Sequence, residues 1–216
     1  SGCEPTTPQP QAFTAADLQA ILETGEVTEI VVENADLSGV DLERLVKHPG
    51  IERVEILGCE FGDEALVHLS RLPNLRRLNI AGSQVTDAGM SQLGQLKELE
   101  ILNLHQTQIT DEGLQHIAAL PKLELLRFGS PHVSDVGIGH IAEIESLRFL
   151  HLMDVPITDA GLELIESMSN LESFYLDGGQ CTDEGLSDLV TARRDLHFHI
   201  NQRHLDDDPH GHDHTH

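Results

Sequence analysis

The stretch ITDEGLQHIAALPKLELLRF, residues 109–128, contains the two phrases that decide the fold. Its first half holds a Thr-Asp-x-Gly phrase, and its second half holds an apolar triplet of the form L-x-x-L-x-L. Nearly the same stretch returns at residues 157–176 as ITDAGLELIESMSNLESFYL. Because both phrases keep a constant phase along the chain, we infer a solenoid in which one structural unit is repeated.

The apolar triplet recurs every 24 residues, in eight copies that stand in register without an insertion. Its last two apolar residues are two positions apart, so they share one face of a short strand while the residues between them point the other way. The five strong copies are Leu75/Leu78/Ile80, Leu99/Leu102/Leu104, Leu123/Leu126/Phe128, Leu147/Leu150/Leu152 and Leu171/Phe174/Leu176. The three weaker copies are Val27/Ile30/Val32, Ile51/Val54/Ile56 and Asp195/Phe198/Ile200.

The Thr-Asp-x-Gly phrase begins 11 residues after each strong triplet begins, and it predicts the start of a helix. A hydroxyl accepts hydrogen bonds from the free N–H groups of a first helical turn, and an acidic residue there suits the helix dipole. We expect the glycine to let this turn pack close to the preceding strand, and the helix to run for about two to three turns. The five copies of the phrase begin at Thr86, Thr110, Ser134, Thr158 and Thr182.

These two phrases together resemble the leucine-rich repeats of the ribonuclease-inhibitor-like class, in the I-T-D-x-G-L form found in F-box adaptor proteins and bacterial repeat proteins. The resemblance implies an α/β fold, a right-handed horseshoe-shaped solenoid of about eight repeats with a parallel concave sheet and convex helices. The repeat domain is expected to span residues 13–204. A capping helix at residues 13–23, with Thr14 as its N-cap, would close the first repeat.

The composition argues against several functions. The formal net charge is −24, from 13 basic and 37 acidic residues, so nucleic acid is not an expected partner, since binding phosphates requires clustered Lys and Arg. The sequence contains no G-x-S-x-G, phosphate-loop or H-E-x-x-H motif, and we therefore expect neither catalysis nor a required cofactor. The predicted protein is a monomer that recognises another protein.

The N-terminus predicts a tether. Residues 1–12 are rich in Pro and polar residues, which favours an extended, disordered segment. Ser1-Gly2-Cys3 resembles the end of a bacterial lipobox, and this resemblance implies a lipid on Cys3 and a place in the bacterial cell envelope, with the cytoplasm as the alternative. The other two cysteines, Cys59 and Cys181, are expected to be buried thiols about five strands and about 24 Å apart, too far for a disulfide.

The residues between the apolar positions of each strand are expected to form the concave face. Three apolar residues lie side by side in one row of this face, surrounded by aromatic, Arg, His and Met side chains. Such a composition is typical of a protein-binding hot spot, although inert filling of a shallow face is the alternative. The predicted partner-binding residues are Ile101, Leu125, Arg127, Phe149, His151, Met153 and Tyr175.

A metal site is the competing prediction. Seven of the 14 histidines fall in the last twenty residues, and residues 205–216 form a tail of His and Asp. Imidazole and carboxylate ligands in this mixture favour Zn, Cu or Ni, so a metal-binding envelope protein is the alternative function, and adventitious chelation by the tail is the simpler explanation. The predicted ligands are His197, His199, His204, His210, His212, His214 and His216.

Overall fold

The computed structural model describes residues 13–24, 26–37, 40–201 and 203–204. The predicted tether with Cys3 lies outside the described residues. The same holds for the predicted tail, residues 205–216, with His210, His212, His214 and His216. Among the residues that the structure describes, no helix is both long enough and apolar enough to cross a membrane.

Strands and short helices alternate along the described chain. The helices are α1 (Ala15–Thr24), α2 (Asp63–Leu69), α3 (Asp87–Leu93), α4 (Asp111–Gln115), α5 (Asp135–Ile141), α6 (Asp159–Ser167) and α7 (Asp183–Ala192), with a 3₁₀ helix at Leu42–Lys47. The strands are β1 (Glu29–Glu33), β2 (Arg53–Leu57), β3 (Arg77–Asn79), β4 (Ile101–His105), β5 (Leu125–Gly129), β6 (Phe149–Met153), β7 (Ser173–Asp177), β8 (His197–Ile200) and β9 (Arg203–His204).

The strands form one open sheet whose order follows the chain. Strands β1 to β8 pair in parallel, and each residue pairs with the residue 24 positions later, as Leu102 does with Leu126 and Leu126 with Leu150. Strand β9 then turns back and pairs antiparallel with β8. The predicted solenoid, its period and its parallel sheet are therefore confirmed.

The apolar triplets form a single core that runs through the whole array. Leu78, Leu102 and Leu126 are each fully buried, and the equivalent residues of neighbouring repeats contact one another. The last copy departs from the predicted pattern. Asp195 is exposed, and Leu196, at 4% exposure, is the buried residue there instead.

Helix α1 closes the first repeat through a capping box. The backbone N–H of Asp17 donates to Thr14 Oγ1 over 3.2 Å, and the backbone N–H of Thr14 donates to Asp17 Oδ2 over 3.0 Å. The two exchanged bonds satisfy donors that the first turn would leave free. Leu18 and Leu22 then turn into the core, where they are 1% and 2% exposed.

Neighbouring repeats are joined by the Asp carboxylate that begins each of helices α2 to α6, in an arrangement that we call the Asp ladder. Each Asp carboxylate accepts the backbone N–H and the hydroxyl of the Thr or Ser 23 residues later, over 2.8–2.9 Å and 2.6–2.7 Å. Bonds from Thr182 lower the pKa of Asp159 below its ordinary value. The pairs of the ladder are Asp63–Thr86, Asp87–Thr110, Asp111–Ser134, Asp135–Thr158 and Asp159–Thr182.

The Asp ladder adds a contact to the role expected of the Asp in the Thr-Asp-x-Gly phrase and corrects the expectation about its glycine. The hydroxyl caps its own helix as predicted, for Thr110 Oγ1 accepts from the backbone N–H of Glu112. The following Asp, however, binds the next repeat. The glycine approaches the carboxylate of the previous repeat, since a Cβ on Gly113 would lie 2.3 Å from Asp87 Oδ1. The constant spacing of the phrase along the chain therefore reflects contact between neighbouring helices.

The helices are shorter than predicted in places. Helix α4 has 5 residues, which is less than two turns, and the first repeat has a 3₁₀ helix of 6 residues in place of an α-helix.

The two cysteines of the repeat domain were both expected to be buried, and one of them differs from this expectation. Cys59 is buried and Cys181 is half-buried, both are free thiols, and burial raises the pKa of Cys181 to about 11. A thiol with so high a pKa is a poor nucleophile at neutral pH.

Asp111→Ala is expected to destabilise the array. The substitution removes the bonds to Ser134 and a further bond of 2.9 Å from the backbone N–H of Gly137. Leaving these donors without a partner should lower the free energy of unfolding by about 1–3 kcal/mol. The matched control is Asp183→Ala, because Asp183 opens α7 but accepts no such bond among the described residues. Urea unfolding measures the free energy of unfolding of both variants. An equal decrease in the two variants would contradict a stabilising role of the Asp ladder.

Two glycines of α5 should respond oppositely to alanine. A Cβ on Gly137 would lie 2.5 Å from Asp111 Oδ1 and 2.9 Å from Val133 Cγ1, whereas a Cβ on Gly139 would meet only Leu164 Cδ1 at 4.0 Å. Gly137→Ala should therefore cost about 1–3 kcal/mol through crowding. Gly139→Ala should add about 0.4–1 kcal/mol by restricting the unfolded chain. Thermal unfolding of the two variants, followed by circular dichroism, tests the difference in sign.

Candidate functional site on the concave face

The concave face is formed by the strand residues whose side chains point away from the helices. Along β2, β4 and β6 the side chains alternate between buried and partly exposed, as the pleat of a strand requires. Since each residue pairs with the one 24 positions later, partly exposed side chains line up in rows across the sheet.

Three apolar side chains occupy one of these rows. Ile101 pairs with Leu125, and Leu125 pairs with Phe149, so the three lie on adjacent strands. Each of them is partly exposed. We call Ile101, Leu125 and Phe149 with their neighbours Arg127, His151 and Tyr175 the docking patch. The structure thus brings these predicted residues together on one surface.

Two residues that sequence reasoning missed support Phe149. The guanidinium of Arg148 lies 5.5 Å from the centroid of the Phe149 ring, within the range of a cation–π contact. Glu172 holds Arg148 in place by accepting bonds of 2.7 Å and 2.8 Å from its Nε and Nη2 atoms. The signal was available, because Arg148 and Glu172 are 24 residues apart and so lie on adjacent repeats. Arg148 and Glu172 are not among the predicted partner-binding residues.

Met153 is placed differently from the rest of the predicted set. It is only 8% exposed, and its Sδ atom lies 3.6 Å from Nη2 of Arg127. The expectation that Met153 presents surface to a partner is therefore corrected. Its side chain contacts the guanidinium of Arg127, which itself is exposed. Met153 can position Arg127 but offers little area of its own.

A second row carries aromatic and imidazole rings on successive strands. The rings of His151 and Tyr175 are 5.4 Å apart, and those of Tyr175 and His199 stack at 4.3 Å with an angle of 3° between planes. Nε2 of His151 also lies 3.1 Å from Oδ2 of Asp177. Tyr175 therefore joins the docking patch to the C-terminal end of the sheet.

At that end the structure brings two of the predicted metal ligands together. The Nε2 atoms of His197 and His199 are in direct contact, and their ring centroids are 4.2 Å apart. The register of β8 and β9 places residue His204 opposite His199. Within the described part of the chain, no group of three or more His, Cys, Asp or Glu side chains is arranged to hold a metal ion.

Burial lowers the pKa of two histidines on the concave face. It is the main cause that lowers the pKa of His105 and of His151 below 6.5, and the positive charge of Arg127 lowers both further. A hydrogen bond from Nε2 of His151 to the carboxylate of Asp177 opposes the shift at His151. In addition, Nδ1 of His105 is buried without a hydrogen-bond partner among the described residues.

These pKa shifts make the stability of the array depend on pH. The folded-state pKa of each histidine lies below its unfolded value of 6.5, so the unfolded chain binds more protons as the pH falls through that value. The free energy of unfolding therefore decreases as the pH falls below about 6.5. At neutral pH both imidazoles are mostly uncharged, and Arg127 supplies the positive charge of the docking patch.

Comparison with known proteins agrees with this architecture. A family model described as Leucine Rich repeat matches residues 71–94 and 97–118. The structure of an internalin from Listeria monocytogenes superimposes with a TM-score of 0.66 at 24% identity, covering 86% of this chain and 54% of that chain. The plant peptide hormone receptor RGFR1, in complex with RGF2, gives a TM-score of 0.50 at 12% identity, covering 81% of this chain and 27% of that chain. No curated protein matches the sequence.

The repeats, the open parallel sheet and these matches define the fold of the chain as a leucine-rich repeat solenoid. At identities of 24% and 12%, the two solved structures establish a shared fold. The chain spans about half the length of the internalin that it matches. The fold alone does not define a function, which depends on the side chains of the concave face.

Substitutions around the two histidines should separate the causes of their pKa shifts. Asp177→Asn should lower the pKa of His151 further, because it removes the negative charge that stabilises the protonated imidazole and opposes the effect of burial. Arg127→Gln should instead raise the pKa of both His105 and His151 by removing a nearby positive charge. Titration of the imidazole resonances by NMR measures each value. A rise in the His151 pKa in Asp177→Asn would contradict the arrangement described.

Proposed function

We propose that this leucine-rich repeat protein is a binding module that recognises another protein through the docking patch. The observation that carries the proposal is the row of Ile101, Leu125 and Phe149, three apolar side chains on adjacent strands that all remain partly exposed. Their inward neighbours already fill the core, so the fold does not need them to be apolar. Contiguous exposed apolar surface of this kind marks interaction sites.

The two preceding repeats strengthen this argument. At the same row, β2 and β3 carry Arg53 and Arg77, which are compatible with solvent, and Arg77 pairs in register with Ile101. The change from arginine to apolar residues occurs at one boundary within an otherwise regular array. A sheet whose concave face served only to be solvated would have no reason for that change.

The charge of the patch indicates the chemistry of the partner. Arg77 and Arg127 are exposed on the same face as the three apolar residues, although the net charge of the whole chain is −24. A carboxylate of the partner can form a charge-assisted pair with the Arg127 guanidinium, which Met153 contacts at 3.6 Å. The partner that fits is a protein segment with apolar side chains next to an acidic residue. The surrounding negative charge would repel other acidic proteins and so favour correct orientation.

The aromatic residues of the patch supply the anchors. Tyr175 and Phe149 are large, rigid side chains, and Phe149 is held under Arg148 by the contact described above. Aromatic and Arg residues are enriched among the hot spots of protein interfaces, and aromatic rings bury much area with few rotatable bonds. The plant receptor of the same fold was solved in complex with RGF2, which supports recognition as a use of such an array.

The proposal includes a place in the bacterial envelope. The sequence Ser1-Gly2-Cys3, which resembles the end of a lipobox, supports a lipid on Cys3. A domain tethered in this way can turn its concave face toward partners near the membrane. Recognition is proposed without a catalytic step, because the docking patch contains no Ser or Cys nucleophile beside His151.

Phe149→Ala is expected to abolish capture of the partner. The full chain serves as bait in an extract of the source organism, the retained protein is identified by mass spectrometry, and its affinity is then measured with purified material. Loss of a central aromatic anchor should weaken binding by about 30-fold, which corresponds to about 2 kcal/mol. Tyr175→Ala should weaken it in the same direction.

Val136→Ala is the matched control for this experiment. Val136 is 63% exposed and lies in α5, on the helical side of the array. Its substitution removes apolar surface without touching the docking patch, and binding should be unchanged. If Phe149→Ala and Val136→Ala bound the partner equally well, the concave face would not be the recognition surface.

A further inference from the structure

We propose that the concave face recognises an extended peptide segment that crosses strands β3 to β5 and carries two acidic side chains four residues apart, with an apolar side chain midway between them. This inference rests on the proposed protein recognition and specifies the part of the partner that is recognised. The two carboxylates pair with Arg77 and Arg127, and the apolar side chain lies on Ile101 and Leu125.

The first support is that two arginines of the concave face are left without an ion pair. Arg77 and Arg127 are both exposed, and neither forms a salt bridge within the part of the chain that the structure describes. The neighbouring Arg76, by contrast, pairs with Glu100 over 3.3 Å. The chain has 37 acidic and 13 basic residues, so carboxylates are abundant. Arg77 and Arg127 are therefore available to carboxylates of a partner.

The second support is the spacing of these two arginines. Arg77 pairs in register with Ile101, Ile101 pairs with Leu125, and Arg127 follows Leu125 by two residues on β5. With about 4.8 Å between strands and about 3.3 Å per residue, the backbones of Arg77 and Arg127 are about 12 Å apart. In an extended segment, residues four apart are separated by about 13 Å and point to the same side. The spacing therefore fits acidic residues four apart.

The third support is the apolar surface between the two arginines. Ile101 and Leu125 lie on adjacent strands there, and both are partly exposed. The residue midway between two acidic residues four apart points to the same side as they do, so it faces this surface. An apolar side chain at that position removes Ile101 and Leu125 from water. The net charge of −24 repels acidic segments that do not reach both arginines, which adds selectivity.

The fourth support is a pair of amide donors in the row that leads to Arg127. Asn79 pairs in register with Asn103, and Asn103 pairs with Arg127. Oδ1 of Asn79 accepts the backbone N–H of Ala81 over 3.2 Å, and Oδ1 of Asn103 accepts the backbone N–H of His105 over 3.0 Å. Both acceptor oxygens are thus used within the sheet, and the Nδ2 groups have no partner among the described residues.

These donors favour an extended segment over a helix as the occupant. The carbonyls of an extended peptide are free to accept hydrogen bonds, whereas the carbonyls of a helix interior already accept bonds within the helix. Asn79 and Asn103 are partly exposed, so their Nδ2 groups can donate to a peptide backbone that crosses the strands. The arginines then select the side chains, and the asparagines bind the backbone.

The test uses a synthetic peptide, acetyl-Thr-Glu-Thr-Phe-Thr-Glu-Thr-amide, and an isomer of the same composition whose two Glu are adjacent. Each is titrated into the full chain and followed by NMR. The spaced peptide is expected to bind about fivefold or more tightly than the isomer, because only the spaced peptide reaches both arginines. It should shift the side-chain amide resonances of Asn79 and Asn103.

Variants of the protein then test the individual contacts. Arg77→Gln and Arg127→Gln should each weaken binding of the spaced peptide by about five- to tenfold through loss of one charge-assisted pair. Asn103→Asp keeps the oxygen that accepts the His105 N–H but replaces the amide donor, and it should also weaken binding. The matched control is Arg71→Gln, which removes an exposed arginine two residues after α2 ends and should leave the affinity unchanged.

Circular dichroism confirms that each variant is folded. Equal affinity for the two peptides, or equal affinity of the Arg71, Arg77 and Arg127 variants for the spaced peptide, would overturn the inference. Capture of a partner that depends on Phe149 would still support the proposed function after such a result, because that experiment uses no peptide. The two proposals therefore fail separately.

Discussion

The Asp carboxylate that begins each of helices α2 to α6 joins one repeat to the next, and the regularity of the array depends on this contact. Asp111 accepts two bonds from Ser134 and one from the N–H of Gly137, and the bonds equivalent to those from Ser134 recur through five consecutive pairs of repeats. A single repeat cannot bury its strand and helix. The ladder therefore acts together with the leucine core to set a constant step between neighbours.

The constant step is what creates a surface from residues far apart in sequence. Ile101, Leu125 and Phe149 are 24 residues apart, and the parallel register brings them onto adjacent strands. The inward positions of each strand are committed to the core, so the outward positions are free to vary. In one row of the concave face, two adjacent strands carry arginine and the next three strands carry apolar residues. The ladder supports recognition by keeping these rows aligned.

The same face changes in chemistry from one end to the other. Around Arg127 the half-buried histidines have lowered pKa values, so the positive charge near neutral pH comes from arginine. Toward β8 the rings of His151, Tyr175 and His199 follow one another, and the row ends in two imidazoles whose nitrogens converge. Tyr175 thus links the proposed docking patch to the histidines of β8 on one continuous surface.

The sequence by itself determined the repeat, its length, the inward residues and the rows of outward residues, because a fixed period makes one copy predict all the others. It also predicted Thr110 as a helix cap, since that role depends on near neighbours. Only the tertiary structure decided the partner of Asp87, the burial of Met153 and the contact between His197 and His199. Each of these depends on side-chain conformation and on atoms from another repeat, and a pattern of letters carries no information about either.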